Sequence, residues 1–85
     1  MASELAGQAG EVYPGVVVDP RIMYGLPVLA GTRIPVQFIV GQLAAGESIE
    51  AVMQAYSLTQ EQVRTALGNA AERVAAETVY VVSDR

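Results

Sequence analysis

Apolar residues follow two different rhythms along this chain. Between Val16 and Ile34 they come in short runs, Val16-Val17-Val18, Val28-Leu29-Ala30 and Arg33-Ile34, each bounded by proline or glycine. Such runs predict short packed strands joined by tight corners, a small sheet or hairpin that ends at Ile34. From Val36 the spacing lengthens. Val36, Ile39, Val40 and Leu43 recur at i, i+3, i+4 and i+7, with Pro35 at the first turn and Gly46 placed to close the helix. Ser48 is an N-cap for a second, short helix carrying Ile49, Val52, Met53 and Tyr56. Thr59 and Gln62 form a capping box, after which Val63, Ala66, Leu67, Ala70, Ala71 and Val74 draw one stripe along a third helix. The segment Thr78–Val82 turns β-branched and aromatic again, which predicts a C-terminal strand.

The pattern implies a mainly α fold with a small β element. Residues 1–13, poor in large apolar side chains, read as a flexible tail; 14–77 hold the hairpin and three helices; 78–85 form a β-prone tail. A core drawn from about seventy residues hides only ~60% of the unfolded surface and is marginal by itself. With 52% apolar residues and no cysteine or histidine to staple the chain, a homo-oligomer or another partner is expected. The N-terminus lacks the features of a signal peptide, and no apolar run reaches the length of a membrane span, so a cytoplasmic protein without membrane contact is expected.

Composition narrows the chemistry further. The missing histidine and cysteine remove the usual general bases, thiol nucleophiles and most transition-metal ligands, and the carboxylates are scattered. Neither catalytic residues nor a cofactor or metal site are expected. Five arginines against nine acidic residues give a net charge of −4, which opposes phosphate backbones.

The second and third helices, separated by about three residues, form a helix-turn-helix candidate, with Val52, Tyr56, Leu58, Val63 and Ala66 as the apolar lock. At 100° per residue, Glu61, Thr65, Gly68 and Glu72 run along the middle of the third helix's solvent face, with Arg64 and Arg73 near its edges. Acid at the centre suits a structural helix better than one read against DNA. Gly68 is unusual, since glycine inside a helix costs about 1 kcal/mol relative to alanine; close approach by another backbone is one explanation.

The order Val18-Asp19-Pro20, Gly25-x-Pro27, Gly31-Thr32-Arg33-Ile34-Pro35-Val36, Ala45-Gly46-Glu47-Ser48, Leu58-Thr59 and Ala66-Leu67 resembles the domain-of-unknown-function 433 family of small bacterial proteins, over roughly residues 16–75. The resemblance implies a tri-helical, homeodomain-like fold with a short β-hairpin, and an antitoxin role against a PIN-like ribonuclease. Two positions depart from the family's pattern: Leu26 replaces a frequent basic residue, and Tyr56-Ser57 replaces a tyrosine-proline turn. Both reduce the case for DNA contact.

The motif's own residues read as architecture. Gly25 and Gly31 turn corners, Pro27 and Pro35 restrict the backbone, Thr32 bonds local main chain, and Arg33 reaches back to Asp19 as a strut. A rival reading makes Arg33 a hand for phosphate or partner. Three functional readings remain. In the first, an antitoxin-like oligomer docks on a nuclease through Val79, Tyr80, Val81 and Val82, with Arg73 or Arg85 entering the nuclease's carboxylates. In the second, a transcription factor presents Thr59, Gln60, Arg64, Thr65 and Asn69 to DNA. In the third, a structural dimer pairs the C-terminal tail with Val16–Val18 of its own or a neighbouring chain.

Overall fold

The computed structural model describes residues 9–83, with side-chain surroundings through residue 76. A three-stranded antiparallel sheet is built from β1 (Gly10–Tyr13), β2 (Val16–Val18) and β3 (Val28–Leu29), in the order β1-β2-β3. Three helices follow: α1 (Val36–Ala44), α2 (Ile49–Tyr56) and α3 (Gln60–Ser83).

The sheet begins earlier than the sequence suggests. Gly10 lies opposite Val18 and Glu11 opposite Val17; Tyr13 lies opposite Val16 after an irregularity in β1. Residues 10–13 are therefore a paired strand and not part of the flexible tail expected over 1–13; residues 1–8 of that tail lie outside the described residues. The signal was weak because Gly-Glu-Val-Tyr has little apolar pattern; pairing with β2 supplies what propensity does not. The hairpin turns at Gly15, whose φ is +87°, and a Cβ there would sit 3.0 Å from Thr65 Cγ2. Val16 and Val17 pair on their other side with Leu29 and Val28.

The segment after β2 is held by local bonds. Asp19 accepts from the backbone N–H of Arg21 at 2.9 Å and from its guanidinium at 3.0 Å. Arg33, expected to brace Asp19, is exposed, and the nearer Arg21 takes that role. A side chain two residues away needs less ordering to reach the carboxylate than one across a loop. Gly25 and Gly31 have φ of +83° and +78°, and the Thr32 hydroxyl donates to the Leu29 carbonyl at 2.8 Å while accepting from Ile34 N–H at 3.0 Å. Pro35, immediately before α1, bridges to Val28.

Each later helix starts where its cap predicts. Ser48 Oγ accepts from Ala51 N–H at 3.0 Å, and Thr59 and Gln62 exchange side-chain-to-backbone bonds at 2.8 and 3.1 Å. Between these helices Ser57 sits in the left-handed region, with φ of +56°. Val16, Leu29, Val36, Ile39, Val52, Leu58, Val63 and Ala66 form one buried core, against which Tyr13 and Tyr56 pack. The apolar positions flanking the α2–α3 break thus belong to the same core as the sheet.

The expected C-terminal strand is absent: residues 78–82 continue α3. Extending a formed helix adds one hydrogen bond for each residue fixed, whereas a strand needs an edge to pair with, and β2 is already paired on both sides. The proposed pairing of the tail with Val16–Val18 inside one subunit is excluded for that reason.

Candidate functional site: the groove between α1 and α3

The residues singled out for DNA contact do not form one surface. Thr59, Gln60 and Arg64 are exposed around the start of α3, where Gln60, Arg64 and Thr65 line a cleft with Tyr13, Pro14 and Glu61. Thr65 itself is half-covered, because the β1–β2 turn rests on it through Gly15. One turn further, the Tyr13 ring lies over Gly68, and its Cζ would be 3.3 Å from any Cβ at that position. Gly68 is accounted for: the group that needs the space is this chain's own tyrosine. The middle of the supposed solvent face of α3 is therefore occupied by the hairpin.

Asn69 lies elsewhere. It is buried, with 3% of its surface exposed, so it does not face solvent. Its position three residues after Ala66 and six after Val63 puts it beside the apolar stripe, a phase that was available from the sequence. What spacing does not reveal is the depth of the neighbouring elements. Asn69 contributes to a groove of about 430 Å³ between α1 and α3. Leu26 and Pro27 from the loop, Val36 and Val40 from α1, and Ala70 and Val74 from α3 make its apolar walls. Its polar groups are Gln37, Asn69 and Arg73. Structure thus brings one expected DNA residue and one expected partner residue into a common site.

The electrostatics of this groove are uneven. Asn69 Nδ2 has no hydrogen-bond partner among the described residues. Leaving a buried donor unpaired costs about 1–3 kcal/mol, which makes Asn69 a poor choice for packing alone. Arg73, one helical turn along the same face, is exposed. Among the described residues no acidic side chain lines the groove. Beyond Ala70 the helix leaves the body, and residues 71–76 are all exposed, including Val74 at 59%. The tail residues Val79, Tyr80, Val81 and Val82 continue this helix, but their side chains lie outside the described residues, as does Arg85.

The loop feeding the groove is strained. Met23 and Tyr24 have φ of +49° and +59°, values uncommon for residues with a side chain, and Tyr24 is 96% exposed. Two residues later the same loop supplies Leu26 and Pro27 to the groove wall. The sequence did not mark Tyr13, Val36 and Val40 as cleft-lining residues, because an apolar residue's spacing does not distinguish a core wall from an open one. Among the described residues no three metal-ligating side chains converge, and no helix is long and apolar enough to cross a membrane.

The sequence from β2 into the first part of α3 matches a known family. Residues 16–69 match the family model described as "Protein of unknown function (DUF433)", and the chain belongs to that family. Over 52 residues it is 44% identical to a Mycobacterium tuberculosis protein named "Putative antitoxin VapB45", covering 61% of this chain and 22% of that protein. It is 42% identical over 52 residues to "Uncharacterized protein y4eO" of Sinorhizobium fredii, covering 60% of this chain and 24% of that one. The crystal structure of Rv2018 from Mycobacterium tuberculosis superposes with a TM-score of 0.56 at 44% identity, over 61% of this chain and 24% of the other. The chain thus spans less than a quarter of the length of these relatives.

Proposed function

We propose that this chain is a non-catalytic antitoxin-like module that binds and inhibits a PIN-like ribonuclease. The observation that carries the reading is the α1–α3 groove, an apolar cleft whose wall includes a buried amide donor without a partner among the described residues, in a chain 44% identical over 52 residues to a protein named as an antitoxin. The exposed stretch of α3 beyond Ala70 extends the apolar surface, and Arg73 stands where it could reach a partner's carboxylates. Self-association would cover part of the same surface. The arrangement of α2 and α3 around Ser57-Leu58-Thr59 supports a tri-helical, helix-turn-helix type of scaffold. Operator binding receives less support: the hairpin rests on Thr65 and Gly68, Asn69 is inside, and Glu61 stands beside Arg64. DNA contact through the α3 start would need an oligomer or a nuclease complex to gather positive charge.

Co-expression with a PIN-like nuclease encoded beside this chain is the direct test. The expected result is a co-purifying complex with suppressed RNA cleavage; full cleavage in the presence of excess chain would refute the proposal. A gel-shift arm at low salt, with chain alone and with the complex, decides the DNA reading.

A further inference from the structure

The α1–α3 groove carries an asymmetry that its apolar walls do not explain. Its wall includes the buried amide of Asn69, whose Nδ2 has no acceptor among the described residues, and the exposed Arg73 on the same helix. Among the described residues no acid lines it, although the chain as a whole carries a charge of −4. The two clefts at the start of α3 differ on both counts, since each includes Glu61 and, among the described residues, neither contains a buried orphaned polar atom. A buried N–H calls for an oxygen acceptor, and a guanidinium four residues along the same helix favours one that is ionised. Low local dielectric inside an apolar cleft strengthens both attractions.

We propose that the groove is a recognition cleft for an apolar segment of a partner protein that carries one carboxylate, with Asn69 Nδ2 and Arg73 as the donors to it. The proposal rests on the reading of this chain as a partner-binding module and adds the chemistry the partner must present. Leu26, Val40 and Val74 receive the flanking apolar side chains, and Gln37 on the opposite helix offers an amide to the segment's main chain. The selectivity has a repulsive side as well: a purely apolar segment leaves the Asn69 donor unpaired, and a basic one meets Arg73.

The test uses the full chain labelled with nitrogen-15 and three probe peptides, acetyl-Leu-Val-Glu-Leu-Val-amide and its counterparts with glutamine or lysine at the centre. The glutamate peptide is expected to move the Asn69 side-chain NH2 resonances and the signals of Val36 and Val40, and to bind about tenfold more tightly than the glutamine peptide. Arg73→Gln abolishes that preference, Asn69→Leu abolishes binding, and Arg64→Gln leaves both unchanged. Should Asn69→Leu fail to fold, the exposed Arg73→Gln variant carries the comparison by itself. Equal affinity for the glutamate and glutamine peptides, or no groove shift up to about 5 mM peptide, overturns the proposal. Concentration-dependent broadening of the groove signals without peptide also overturns it, by assigning the groove to a second copy. Nuclease inhibition that survives Asn69→Leu and Arg73→Gln, with no peptide shift, removes the cleft and leaves the antitoxin reading standing; peptide binding without nuclease inhibition does the reverse.

Discussion

Two residues explain themselves only through a neighbour. Gly68 forgoes about 1 kcal/mol of helix propensity relative to alanine, and the Tyr13 ring occupies the space a methyl group would need. Gly68→Ala is therefore expected to stabilise the protein more in a Tyr13→Ala background than in the native one, by about 1 kcal/mol in urea unfolding. Zero coupling would mean that the ring is not seated on α3. Asp19 is the second case. The side-chain hydrogen bond from Arg21, followed by the Arg21 backbone N–H, holds its carboxyl below the usual carboxylate range. Because the folded-state value is depressed, the stabilising contribution is present above the unfolded value of about 3.9 and is lost as pH falls through the folded one. Asp19→Asn should consequently lower stability at neutral pH and flatten the acid side of the stability profile, as followed by circular dichroism.

At the scale of elements, the helices are defined by their ends more than by their middles. Ser48 closes the orphaned donor of Ala51, and Thr59 with Gln62 does so reciprocally for α3. Ser48→Ala should cost about 1 kcal/mol of unfolding free energy, and Ser48→Gly only a few tenths, a contrast that thermal melts resolve. These boundaries were legible in the sequence because a cap is a local interaction. The strands were legible where valine runs signalled them, at β2 and β3, and illegible at β1, which depends on pairing with Val16–Val18. At the far end of α3 local propensity misled, since β-branched residues lose only a few tenths of a kcal/mol each in a helix that is already formed.

For the whole molecule, one core joins sheet and helices, and its centre is Ile39, fully buried among Val16, Leu29, Val52 and Val63. Ile39→Ala should remove about 2–5 kcal/mol, a large share of the roughly 5–15 kcal/mol that ordinary domains possess. Loss of the cooperative transition at ambient temperature is the expected outcome, read by calorimetry; a shift of only a degree or two would show that the core does not depend on this contact. The same joining of layers creates the α1–α3 groove, because α3 packs along α1 up to Ala70 and is exposed beyond it.

Helix starts, the apolar stripes, the acidic balance and the absence of thiol and imidazole chemistry were all decided by the chain's order of residues. Each is a property of near neighbours or of composition, and near neighbours are fixed before folding begins. Which stripe faces a core and which faces an opening is a different kind of fact. The burial of Asn69, the Tyr13 ring over Gly68 and the choice of Arg21 over Arg33 as the partner of Asp19 were settled only when distant segments met. Contacts of that kind depend on the relative depth and angle of packed layers, which spacing along one strand or helix does not encode.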